Sequence, residues 1–70
     1  MKITNSSDLG IVIRKRRKEL GYTQQFLSDF TGLSVTFISQ VERGKTTAEI
    51  EKTIQLINTL GLDLLIQERG

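Results

Sequence analysis

Thr36, Ser39, Gln40 and Arg43 fall on one side of a short stretch wound as a helix, at about 100° per residue. Ser34, Ile38 and Val41 fall on the other side. The first set is polar, short-chained and uncharged except at its C-terminal end. Such groups can hydrogen-bond to base edges in a major groove, with the cation left for phosphate. The same periodicity also describes an ordinary solvated helix face. Most other chemistry is closed to this chain. Its 70 residues include no His and no Cys. Neither a Ser-His-Asp nor a Cys-His constellation can be built, and a disulfide or a Cys or His metal site is excluded. The chain is also short for a substrate cleft. We therefore expect no enzyme activity and no cofactor.

Charge placement points the same way as the polar face. Net charge is only +2, but residues 1–45 hold eight basic and four acidic groups. Residues 46–70 hold two basic groups, Lys52 and Arg69, against four acidic ones. A basic front half suits a domain that meets a polyanion. The run Arg14-Lys15-Arg16-Arg17-Lys18 also fits a solvated helix face.

Four helical segments must position these residues. The first spans residues 8–20, with Ser6 or Ser7 as the helix-start side chain and Asp8 at the positive end of the dipole. Leu9, Ile13 and Leu20 recur on one of its faces, and Gly21 stops it. The second runs from Gln24 to Thr31, capped by Thr23 and ended by Gly32; Phe26, Leu27 and Phe30 are its large apolar residues. The third covers residues 35–43, capped by Ser34 and ended by Gly44. The fourth covers residues 48–60, capped by Thr46 or Thr47, with Ile50, Ile54 and Ile57 as its stripe and Leu56 and Leu60 widening it. Gly61 ends it. The second and third, joined by Gly32-Leu33-Ser34, have the spacing of a helix-turn-helix.

Residues 62–67, Leu-Asp-Leu-Leu-Ile-Gln, are too short for a further helix and read as a strand. Within the chain only Met1–Thr4 could pair with it. An unpaired apolar edge is an open pairing site, so the economical partner is the same strand of a second subunit, through Leu62, Leu64, Leu65 and Ile66. A single 70-residue core is near break-even, which also favours a homodimer. A simple extension packed on the fourth helix is the alternative. No apolar run approaches the roughly 20 residues of a membrane span. Nor does the N-terminus have the apolar stretch of a signal peptide, so a cytoplasmic protein without a membrane partner is expected.

Leu9-Gly10, Ile13-Arg14, Arg17, Gly21, Thr23-Gln24, Leu27, Gly32-Leu33-Ser34, Ile38-Ser39 and Val41-Glu42-Arg43-Gly44-Lys45 together resemble the signature of the Cro/C1-type (XRE) helix-turn-helix family. The resemblance runs from Leu9 to about Leu60. It implies an all-α, lambda-repressor-like bundle of four to five helices, here with a short C-terminal strand for dimer pairing. The whole chain would be one domain, with residues 7–60 as the DNA-binding core and 62–67 as the dimerisation strand. The ending Gly61-Leu62-Asp63-Leu64-Leu65 resembles HipB-type antitoxins. Those are small autoregulating repressors that partner a HipA-type kinase toxin. A stand-alone or phage-type regulator fits the same motif.

The resemblance also implies roles. Gln24 would bond a phosphate of double-stranded DNA, helped by helix N-terminal amides. Thr36 and Gln40 would face the bases of a near-palindromic operator, with Val35 and Ser39 at the edge of that surface. Arg43 and Lys45 would hold phosphates. Arg17 and Glu42 would form a buried or half-buried ion pair, structural rather than DNA-contacting. Two positions depart from the pattern. Ser28 stands where relatives often carry Ala, a change small enough to fit. Phe26 stands where relatives usually place a polar residue; it is either partly buried against the fourth helix or the strand, which we favour, or an exposed aromatic for a partner.

Overall fold

A computed structural model describes residues 2–70. It contains four helices: α1 (Ser6–Glu19), α2 (Gln24–Thr31), α3 (Val35–Glu42) and α4 (Ile50–Thr59). Ile13, Leu27, Ile38, Leu56 and Leu60 are fully buried between them, with Leu33, Val41 and Ile57 close behind. Each helix thus gives at least one side chain to the same core, which is where most helical stability in a small bundle comes from.

Helix boundaries follow local chemistry. Thr23 and Ser34 cap α2 and α3 as expected, their hydroxyls accepting from the N–H groups of Phe26 and Phe37 at 3.0 Å. The cap of α1 is Asn5, whose Oδ1 accepts from the Asp8 N–H at 2.8 Å. Ser6 is drawn elsewhere: its hydroxyl donates to the Gly44 carbonyl at 2.9 Å and ties the start of α1 to the end of α3. At the other end of α1, Gly21 adopts φ 74°, so the Tyr22 N–H reaches the Arg17 carbonyl at 3.1 Å.

The fourth helix departs from the sequence reading. It starts at Ile50 after Glu49, with no side-chain cap from Thr46 or Thr47. Its buried stripe is Thr53, Leu56, Ile57 and Leu60, while Ile50 is 66% exposed. Thr53 can enter the core because its hydroxyl donates to the Glu49 carbonyl at 2.7 Å. Phe26 also departs from expectation. It is 47% exposed, and its ring lies 4.8 Å from that of Tyr22 and 6.2 Å from that of Phe30. Its aromatic partners are therefore neighbours along its own helix and the turn before it.

No strand forms among the described residues. Residues 63–70 are exposed, with Leu65 at 77% and Ile66 at 95%; Leu62 alone packs on the core. The bundle is all-α, and the strand read over 62–67 does not form within the single chain. A strand is stabilised by ladder hydrogen bonds to a neighbour, and the chain supplies none. Lys2–Thr4 do not pair with the tail, and Met1 lies outside the described residues. Among the described residues, no helix is long and apolar enough to cross a membrane.

Candidate nucleic-acid interface

The turn between α2 and α3 is built to be rigid. Gly32 takes φ 79°, a conformation that L side chains rarely adopt, and its N–H donates to the Ser28 carbonyl at 2.9 Å. Leu33 then plunges into the core. The Thr31 hydroxyl donates to Leu27 O at 2.6 Å and accepts from the Leu33 N–H at 3.1 Å. Backbone groups that the turn frees from helical pairing are thereby taken up locally.

With Ile38, Val41 and Glu42 buried, α3 turns Thr36 and Arg43 outward, both exposed, while Ser39 and Gln40 are half-buried beside them. Val35 is half-buried at the edge. Lys45, exposed in the following turn, donates from Nζ to Gln40 Oε1 at 3.2 Å. That bond orients the Gln40 amide and leaves its N–H donors free, with one carbonyl lone pair to spare. The structure thus brings Thr36, Ser39, Gln40, Arg43 and Lys45 onto one continuous surface.

Beneath this surface lies an ion pair. Arg17 Nε donates to Glu42 Oε2 at 2.7 Å and Arg17 Nη2 to Glu42 Oε1 at 2.9 Å, a two-pronged geometry. The side chains retain only 11% and 3% of their exposure. Arg17 Nη1 also donates to the Tyr22 carbonyl at 2.9 Å. The hydrogen bond to Glu42 raises the guanidinium pKa above its ordinary value; burial opposes the rise and the carboxylate charge adds to it. The structural role expected for this pair agrees with its burial.

Gln24 joins the same network, its Nε2 donating to Glu42 Oε1 at 3.2 Å. One of its amide hydrogens is therefore committed inward and one remains for an external acceptor. Sequence reasoning missed this link, as it missed Lys45 to Gln40. Both depend on tertiary placement and leave no periodic signal. Through Glu42, a single carboxylate fastens α1, the start of α2 and the end of α3 together.

A second feature fixes α1 on α3. A Cβ added to Gly10 would lie 2.5 Å from the Val41 carbonyl oxygen and 2.6 Å from that of Glu42. Only glycine permits so close an approach. No group of three or more His, Cys, Asp or Glu is placed to hold a metal ion among the described residues.

The arrangement is that of a helix-turn-helix protein, with a short second helix, a tight turn and an outward polar third helix. Residues 13–66 match the Helix-turn-helix family model, and the chain belongs to that family. Over 69 residues it is 36% identical to the uncharacterised HTH-type transcriptional regulator y4mF of Sinorhizobium fredii (strain NBRC 101917 / NGR234), covering 99% of this chain and 91% of that one. Among solved structures it is similar to the protein of a HipB–O4 20mer complex, with a TM-score of 0.89 and 20% identity over 100% of this chain and 99% of that one. A HipA–HipB–O2–O3 complex contains a chain similar at TM-score 0.90, again at 20% identity, covering 100% and 99%. At that identity the likeness shows the fold.

Proposed function

We propose that this protein is a sequence-specific DNA-binding transcriptional repressor acting as a cytoplasmic homodimer. One observation carries the reading: α3 presents Thr36, Ser39, Gln40 and Arg43 outward from a base locked by Arg17, Glu42 and Gln24. Pre-organised hydrogen-bonding groups on a rigid helix are what base discrimination requires. Thr36 and Gln40 read base edges, and Val35 can meet a thymine methyl. Gln24, Arg43 and Lys45 hold phosphates. Two copies place their α3 helices in successive major grooves, roughly 34 Å apart, on a near-palindromic operator.

Replacing Gln40 by Ala tests the reading. Affinity for the operator falls by about 1–3 kcal/mol, while affinity for unrelated duplexes holds. Uniform weakening on every sequence contradicts a base-reading role.

The dimer joins through residues 62–67, each tail acting as the antiparallel strand partner that the other lacks. Exposed Leu64, Leu65 and Ile66 support this, together with Leu62 at its root. Removing residues 62–70 yields a monomer with weaker operator binding. A truncated chain still dimeric at low micromolar concentration, measured by sedimentation, removes the strand-pairing arrangement.

The likeness to HipB within a HipA–HipB–DNA complex supports a role as antitoxin to a HipA-type kinase toxin, with DNA binding as its autoregulatory arm. The 36% identity to a transcriptional regulator supports the alternative of a regulator without a toxin. Co-expression with the neighbouring gene separates them: an antitoxin co-purifies with that product, and a stand-alone regulator does not.

A further inference from the structure

Three exposed cations of α1 have no ion-pair partner among the described residues: Arg14, Lys15 and Lys18. Together with Ile11, Glu19 and Glu42 they line an open depression of about 580 Å³. The Glu42 charge is already matched by Arg17. Glu19 is then the one free carboxylate set against three cations, so the depression is net basic.

Its position is specific. Glu42 is also the acceptor for Gln24, the first residue of α2, so the basic depression adjoins the phosphate-facing end of the proposed interface. Arg14 and Lys18 stand one helical turn apart on the flank of Gly10, where α1 meets α3. Like charges at that spacing repel and weaken a helix. The helix dipole favours Lys18, in the last turn, but does not reach Arg14. A polyanion laid across the depression relieves this repulsion.

We propose that Arg14 and Lys18 form an additional phosphate-binding site on α1, gripping the DNA backbone beside the phosphate reached by Gln24. This rests on the DNA-binding reading above. It adds two cations per subunit that the helix-turn-helix itself does not supply. They add affinity without adding base discrimination, because phosphates carry no sequence information.

The test is the salt dependence of binding to DNA from upstream of the gene and to a scrambled duplex, for wild type and the Arg14→Ala/Lys18→Ala double variant. Both side chains are exposed, so the variant should fold, and circular dichroism checks it. Removing one phosphate-bound cation makes the log–log salt slope shallower by about 0.9, and removing all four in a dimer makes it shallower by up to about 3.6. The upstream-to-scrambled affinity ratio stays at the wild-type value. The charge-keeping Arg14→Lys/Lys18→Arg variant restores the slope. An unchanged slope in the alanine variant overturns the site while leaving the DNA-binding reading intact. Wild type that binds neither duplex overturns the reading and the site together.

Discussion

Replacing Glu42 by Ala, with Arg17 left in place, is expected to cost about 3–5 kcal/mol of folding stability. The guanidinium is nearly buried, and its two-pronged partner would be gone. An uncompensated buried charge is far more costly than a broken surface pair, which is worth about 0–1 kcal/mol. The sharper expectation concerns the pair. Arg17→Met combined with Glu42→Leu should cost clearly less than Glu42→Ala alone, because no charge is then left stranded. Gln24 and Tyr22 lose a partner in that double variant, but both are half-buried and accessible to water. Urea unfolding at fixed protomer concentration measures all three. A Glu42→Ala cost below about 1 kcal/mol would mean that the pair behaves as an exposed one. Arg17 adds no pH dependence near neutrality. Its pKa is raised in the folded state, so its contribution is fully present below the ordinary arginine range and is lost only as pH rises above it.

Gly10→Ala should be the second large effect, with a sign opposite to helix propensity. An exposed helical glycine replaced by alanine gains about 1 kcal/mol. Here the new methyl would sit 2.5 Å and 2.6 Å from two carbonyl oxygens of the last turn of α3. Backbone atoms cannot swing aside as a flexible side chain would. The helices must separate, and the shift pulls Glu42 off Arg17 as well. We expect a loss of about 3 kcal/mol or more, at the upper end of overpacking costs. DNA affinity should fall with it, because α3 is aimed by this close approach. A neutral or stabilising result in thermal unfolding would refute it.

Much of this architecture is legible in the sequence. Gly21, Gly32, Gly44 and Gly61 all take positive φ where the pattern predicts helices to stop. Thr23 and Ser34 cap as expected because each immediately precedes its helix and has no competing partner. Asn5 displaces Ser6 and Ser7 at α1 because Ser6 bonds to Gly44, 38 residues away in the chain. The stripe of α4 differs from its hydropathy pattern for a related reason. Hydropathy ranks Ile50 above Thr53, but a threonine whose hydroxyl bonds back to its own helix can be buried, and an isoleucine at the helix start need not be. Partial burial against α4 or the tail is the favoured reading for Phe26, yet its exposed ring packs along its own helix and the turn before it. Ladder hydrogen bonds for a strand over 62–67 have to come from another chain.

The site is legible as a face and less so as a network. Periodicity places Thr36, Ser39, Gln40 and Arg43 together, and the family resemblance supplies the Arg17–Glu42 pair. The inward bond of Gln24 and the support of Gln40 by Lys45 arise only when separate turns are brought within 3.2 Å. These two bonds turn a polar helix face into an oriented one.

The central claim is that this oriented face reads sequence. The most direct test is the affinity of the purified protein for duplex DNA from upstream of its own gene, beside a scrambled duplex of equal length and composition, across a salt series. We predict tight, selective binding to the upstream DNA that weakens steeply with salt, as phosphate binding demands. Selectivity over the scrambled duplex should persist at each salt concentration. Equal affinity for the two duplexes throughout the series would contradict it.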